Sequence, residues 1–139
     1  MTPEQISLVQ DSFAMVAPIS DAAAALFYGR LFQIAPEVAP LFRGDMIEQG
    51  RKLMSTLGVV VRGLDDLGGL LPVARRLAIK HVEYGVTADQ YGPVGTALLW
   101  TLSQGLGDAF TPAVEAAWTE AYGALSGAMV AAAYVSKAA

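Results

Sequence analysis

His81 is the only histidine in the chain, and it lies in the stretch LLPVARRLAIKHVEYGV, Leu70 to Val86. Leu70, Ala74, Leu77 and His81 fall at i, i+4, i+7 and i+11, one stripe of a 3.6-residue helix. That spacing turns the imidazole inward with the leucines and leaves Arg75, Arg76 and Lys80 for solvent. Two chemistries suit a histidine so placed. It is either a core residue whose ring nitrogens are hydrogen-bonded or an axial ligand to a haem iron held inside the protein. Gln49 poses the same kind of question, because this amide stands in line with Leu53, Leu57, Val60 and Leu64. Near a helix start it could point to water. Facing inward, it needs something polar to bind.

Other catalytic constellations are missing from the sequence. There is no HExxH, CxxC or P-loop, and no GxGxxG opening a βαβ unit. A Ser-His-Asp triad would need His81 on a loop or element end beside a serine, whereas it sits mid-stripe among hydrophobic residues. No paired carboxylates fall on a common inward face. Zero cysteines exclude disulfides, thiolate catalysis, iron–sulfur clusters and cysteine-rich zinc sites. What remains is an apolar interior with one good metal ligand.

The elements that must position these residues are helices. Thr2-Pro3-Glu4-Gln5 reads as a capping box with proline at the first helical position. Ile6, Val9, Phe13 and Val16 follow as one apolar stripe, and Pro18 ends it. A second helix begins near Ser20 or Asp21, with Ala23, Phe27, Leu31 and Ile34 buried and Tyr28 on the edge. Pro36 and Pro40 leave room for a short turn only, which puts Phe42 at a corner. Asp45 to Glu48 forms another capping box and opens the helix carrying Gln49. A Gly-rich turn, Gly63 to Gly69, leads into the His81 helix, which Gly85 stops. Thr87 to Gln90 is a third capping box, opening a helix with Tyr91, Val94, Leu98 and Leu102 inward. Thr111-Pro112 starts the last helix, with Val114, Trp118, Ala121, Leu125, Met129 and Ala132 on its inner side. No alternating strand pattern of useful length is present. The expected fold class is all-α.

At 139 residues, with no linker-like tract or internal repeat, the chain reads as one domain, residues 1–139. A hydrophobic fraction of 54%, a mean hydropathy of +0.44 and a charged fraction of 16% mean that something inside consumes apolar side chains. No stretch reads as a membrane span: the charge-free run Gln90 to Gly107 is broken by Pro93 and four glycines. No Lys or Arg precedes Arg30, so a secretory signal is not expected, and the expected location is the cytoplasm. The net charge of −4 argues against nucleic acid as a partner. Eight of the nine basic residues lie between Arg30 and Lys80. That partition is either chance or a means of neutralising an anion near His81.

Taken together, these residues resemble a bacterial single-domain globin, similar to the globin part of flavohaemoglobins, over nearly the whole chain. The resemblance rests on Phe42 in PLF, Tyr28 in LFYGRLF, Gln49 and Leu53 in EQGRKL, and His81 and Tyr91 in KHVEYGVTADQYGPVG. The closing AWTEAYGAL, Ala117 to Leu125, adds to it. It implies the globin fold, a three-over-three helical sandwich around a haem pocket, with haem b (iron protoporphyrin IX) as cofactor. It further implies His81 as the proximal metal ligand and Phe42 stacked on the haem. Tyr28, Gln49 and Leu53 would form the side where gas binds, and Tyr91 would stand beside the proximal histidine.

The residues fit that reading. With a single histidine, bis-histidine coordination within one chain is impossible, so the sixth position is left to an exogenous ligand, water or Tyr28. The Tyr28 hydroxyl and Gln49 amide would donate to a ligand that takes up negative charge. Leu53 and Leu57 would keep the pocket dry, and Val86 and Val94 would wall the proximal side. Lys80, Arg51 and Lys52 are candidates for the propionates. Two departures limit what carries over. The sequence ends at Ala139, so the reductase domain of flavohaemoglobins is expected to be absent and turnover would need a separate reductase. The last-helix glutamate of that family is replaced by Ala133, so His81 Nδ1–H is expected to donate to the Leu77 carbonyl instead. Three functions remain open: reversible binding, transport or storage of oxygen or another diatomic gas (nitric oxide, carbon monoxide); nitric oxide detoxification with a separate electron donor; and a haem-free signalling module.

Overall fold

The computed structural model describes residues 1–133. Six α-helices follow in order: α1 (Pro3–Val16), α2 (Ser20–Ile34), α3 (Met46–Arg62), α4 (Leu67–Glu83), α5 (Tyr91–Leu106) and α6 (Pro112–Ala133). No strand occurs among the described residues. Short 3-10 turns occur at Ala17–Ile19, Pro36–Leu41, Ala88–Gln90 and Gly107–Ala109; all but Ala88–Gln90 contain a proline or glycine that breaks the α-helical ladder. The helices start where side chains satisfy the orphan N–H groups. Thr2 and Gln5 exchange backbone and side-chain bonds at 3.0 and 3.1 Å. Asp45 accepts from the N–H of Ile47 at 2.8 Å, closing that cap one residue earlier than a full box with Glu48 would. The Thr87–Gln90 box opens the 3-10 turn, so α5 itself begins at Tyr91.

The helices stack as a three-over-three sandwich, with α2 against α5 and α3, and α6 against α4 and α1. Val9, Val16, Phe27, Leu31, Leu98, Leu102 and Trp118 fill the space between the layers. Trp118 donates its indole N–H to the Ser12 hydroxyl at 2.9 Å inside that core, which satisfies both polar groups. A second cluster of Ala74, Ala78, Tyr91 and Met129 joins α4 to α5 and α6.

The structure departs from the sequence reading in four places. Tyr28 is buried at 7% exposure rather than at the helix edge, because the Pro36–Leu41 turn and Phe42 fold back over it. Ile34 and Ala132 are exposed at the ends of their stripes. Leu64 is buried, but beyond the last residue of α3. The His81 helix begins at Leu67, before the proline, with Asp66 accepting from the Gly69 N–H at 3.2 Å. The run Pro3–Ile34 is long and apolar enough to cross a membrane, with a mean hydropathy of 1.2 in its best window. It is divided at Ala17–Ile19, and Val9, Val16, Phe27 and Leu31 from its two halves pack into the core.

Gly50 sets the approach of α3 to α2. A Cβ there would lie 2.8 Å from the Ala24 Cβ, closer than two such atoms can sit. Neither backbone can yield without moving a helix. Gly50→Val is therefore expected to destabilise the protein by about 1–3 kcal/mol. A lowered urea midpoint would show it, with part of the loss recovered in the double variant carrying Ala24→Gly.

Candidate functional site

A cleft runs between α2, α3, α4, α5 and α6, in two chambers that share lining residues. They hold about 730 and 1040 Å³ of space free of atoms, solvent at the mouths included. Phe27, Leu53, Thr56, Leu77, His81, Val86 and Val94 line both. Leu57 and Tyr91 line the inner chamber. Tyr28, Phe42, Gln49, Lys52 and Lys80 line the outer one. Every site residue anticipated from the sequence except Arg51 thus faces one cavity. Arg51 instead lines a separate α2–α3 cleft and pairs with Asp21 at 3.6 Å, both groups well exposed.

His81 stands in the last turn of α4, where its Nδ1 lies 2.6 Å from the Leu77 carbonyl oxygen. A carbonyl only accepts, so Nδ1 carries the proton and donates, which in the neutral ring leaves the lone pair on Nε2. The ring lies 6.0 Å from Tyr91 and 6.5 Å from Tyr84, centre to centre. Ala133 packs beside the Tyr91 cluster, so the position discussed above offers a methyl group and no carboxylate.

Opposite, Tyr28 is wedged among aromatic rings, 5.0 Å from Phe27 and 5.2 Å from Phe42, both edge-on. Gln49 donates from Nε2 to the Tyr28 oxygen at 3.3 Å. That bond uses a phenol lone pair and leaves the phenol proton free to donate elsewhere. Burial raises the Tyr28 pKa, and the Gln49 bond partly offsets the rise, so the phenol is held as a donor.

The donor set decides what the cavity can hold. Among the described residues no three His, Cys, Asp or Glu side chains converge. One imidazole nitrogen cannot complete the coordination sphere of a bare zinc ion, which takes three or four protein ligands. A metal bound here must bring its own equatorial ligands. A flat metal macrocycle does so, and the apolar walls suit its ring as Lys52 and Lys80 at the mouth suit acidic substituents.

The globin family model matches residues 25–129 of this chain. The chain belongs to the globin family. It is 31% identical over 125 residues to a flavohemoprotein of Vibrio cholerae, covering 88% of this chain and 32% of that protein. A flavohemoprotein of Bordetella parapertussis is 32% identical over 133 residues, covering 94% and 33%. One of Bacillus subtilis is 28% identical over 130 residues, covering 90% and 32%. The chain spans about a third of the length of these relatives. Membership supports haem and gas binding in general terms.

Thr56 and Tyr122 are among the residues of the globin's cavity that the sequence reading did not single out. Thr56 lies seven residues after Gln49, two helical turns on, so the period that selected Leu53 reaches it too. Tyr122, four residues after Trp118, lines the inner chamber and donates its hydroxyl to the Tyr91 carbonyl at 2.5 Å. Its ring lies where a Cβ on Gly95 would be, 2.6 Å away, so α5 needs glycine there. Burial pushes the Tyr122 pKa well above its ordinary value of 10.0. Below that value folded and unfolded chains both keep the proton, and the stabilisation is complete. Above it the unfolded chain ionises first, so stability falls as pH rises. Tyr122→Phe is expected to cost about 0.5–1.5 kcal/mol at neutral pH and to flatten the alkaline loss, both read from urea unfolding across pH 8 to 11.

Proposed function

We propose that this globin is a haem protein that reversibly binds oxygen or another diatomic gas, with haem b held in the cleft and residues 1–139 forming one domain. The observation that carries the reading is one imidazole, its Nδ1 held by the Leu77 carbonyl, sharing a single apolar cavity with a phenol donor. When bound, haem supplies an iron with a position open to a small ligand. The chain's residues do the rest. His81 would hold the metal through Nε2, its plane and tautomer fixed by the Leu77 carbonyl. Phe42, Leu53, Leu57, Val86 and Val94 would enclose the ring and exclude water. Lys52 and Lys80 would meet the propionates. Tyr91 would buttress the His81 ring from α5.

Tyr28 would donate its proton to a ligand that gathers negative charge. Gln49 would act chiefly by donating to Tyr28, which strengthens the phenol as a donor. The geometry thus favours one direct donor supported by a second residue, rather than two equal donors. Nitric oxide detoxification, with a separate reductase supplying electrons, is the enzymatic form of the same reading. Its support is the likeness to proteins named flavohemoproteins, of which this chain spans about a third.

His81→Ala is expected to lose tight haem binding, and added imidazole to restore part of it. The visible spectrum and haem affinity decide; a variant with the parent's Soret band and affinity would refute the assignment. Tyr28→Phe keeps the ring but loses a hydrogen bond to a charged acceptor, about 1.5–3 kcal/mol. Oxygen dissociation is then expected to speed up about 10- to 100-fold, with carbon monoxide dissociation near the parental rate in stopped-flow measurements.

A further inference from the structure

Tyr84 has no part in the site described so far. It is the residue after the end of α4, its N–H donating to the Lys80 carbonyl at 3.0 Å, so the helix end fixes its backbone. Its ring lies 6.5 Å from that of His81 and lines the outer chamber, yet the residue is 59% exposed. Among the described tyrosines that line the cavity it is the most exposed. Tyr28 and Tyr91 are 7% and 8% exposed. Tyr122 is partly buried, with its hydroxyl engaged by the Tyr91 carbonyl.

That combination matters for one-electron chemistry. A phenol that gives up an electron becomes strongly acidic and must release its proton at once. Inside an apolar cavity a released proton has no stable place to go. At Tyr84 water takes it.

We propose that Tyr84 is a surface oxidation site, through which the buried metal centre takes single electrons from reductants too large to enter the cleft when the oxidant is hydrogen peroxide. The inference rests on the haem reading above. Peroxide accepts two electrons and two protons, its O–O bond breaks, and two waters form. Two Tyr84 phenols, each from one copy of the chain, supply those electrons and protons. Without another reductant, the two oxidised rings join by a new carbon–carbon bond between ring positions beside the hydroxyls, giving a cross-linked dimer. With a bulky reductant present, the electrons come from it and Tyr84 is restored.

The test uses haem-loaded protein, one equivalent of hydrogen peroxide and a nitroso radical trap, followed by peptide mass spectrometry. The wild-type chain is expected to carry the trap at Tyr84 and, without trap, to form a Tyr84–Tyr84 linked dimer. Tyr84→Phe should lose both at least tenfold and oxidise reduced cytochrome c more slowly. Tyr134→Phe, removing the remaining tyrosine of the sequence, should keep them. Adducts on another residue, or a dimer that survives Tyr84→Phe, overturn the proposal. Peroxide consumed at a normal Soret band with no adduct at Tyr84 overturns this inference alone. Failure of the wild-type chain to take up haem overturns it together with the proposed function.

Discussion

The bond from His81 Nδ1–H to the Leu77 carbonyl constrains everything else in the cleft. It joins residues four apart on one helix, so it forms wherever that helix forms. It fixes the tautomer and directs the unprotonated nitrogen away from the helix backbone. A carbonyl is a weaker acceptor than a carboxylate, and it leaves the imidazole less electron-rich than a charged partner would. Ala133, packed against the Tyr91 cluster, is the other half of that constraint, because it supplies no competing acceptor.

On the opposite wall the order of donation matters more than the number of donors. Gln49 gives its proton to Tyr28, and Tyr28 keeps its own for the cavity. Phe27, Phe32 and Phe42 surround the phenol with rings that offer no acceptor comparable to an oxygen. The hydroxyl is therefore directed by what surrounds it, and burial keeps it protonated. The cavity thus presents a lone pair at one wall and a proton at the other, with hydrocarbon between.

Small residues make the frame possible. Gly50 and Ala24 let α3 approach α2, which brings Gln49 within reach of Tyr28. Gly95 lets the Tyr122 ring lie against α5, where its hydroxyl meets the Tyr91 carbonyl. In both places a missing Cβ is what lets a polar contact form between helices.

The sequence alone determined the helices, their caps and the stripe that turns His81 inward, because these follow from spacing within about twenty residues. It placed the His81–Leu77 contact too, a bond within one helical turn. It also singled out Gln49 by an amide among leucines, and Tyr28, Phe42 and Leu53 through resemblance. Tertiary structure decided what depends on two elements meeting. Periodicity put Tyr28 at a helix edge, but the proline turn and Phe42 cover it, so burial came from a neighbouring segment. Arg51 follows Gln49 by two residues and turns toward Asp21, since that spacing on a helix points to different faces. The Tyr122 contact joins residues 31 apart, and nothing local marks that pairing. Local spacing fixes which face a side chain occupies; only the packed fold fixes what that face meets.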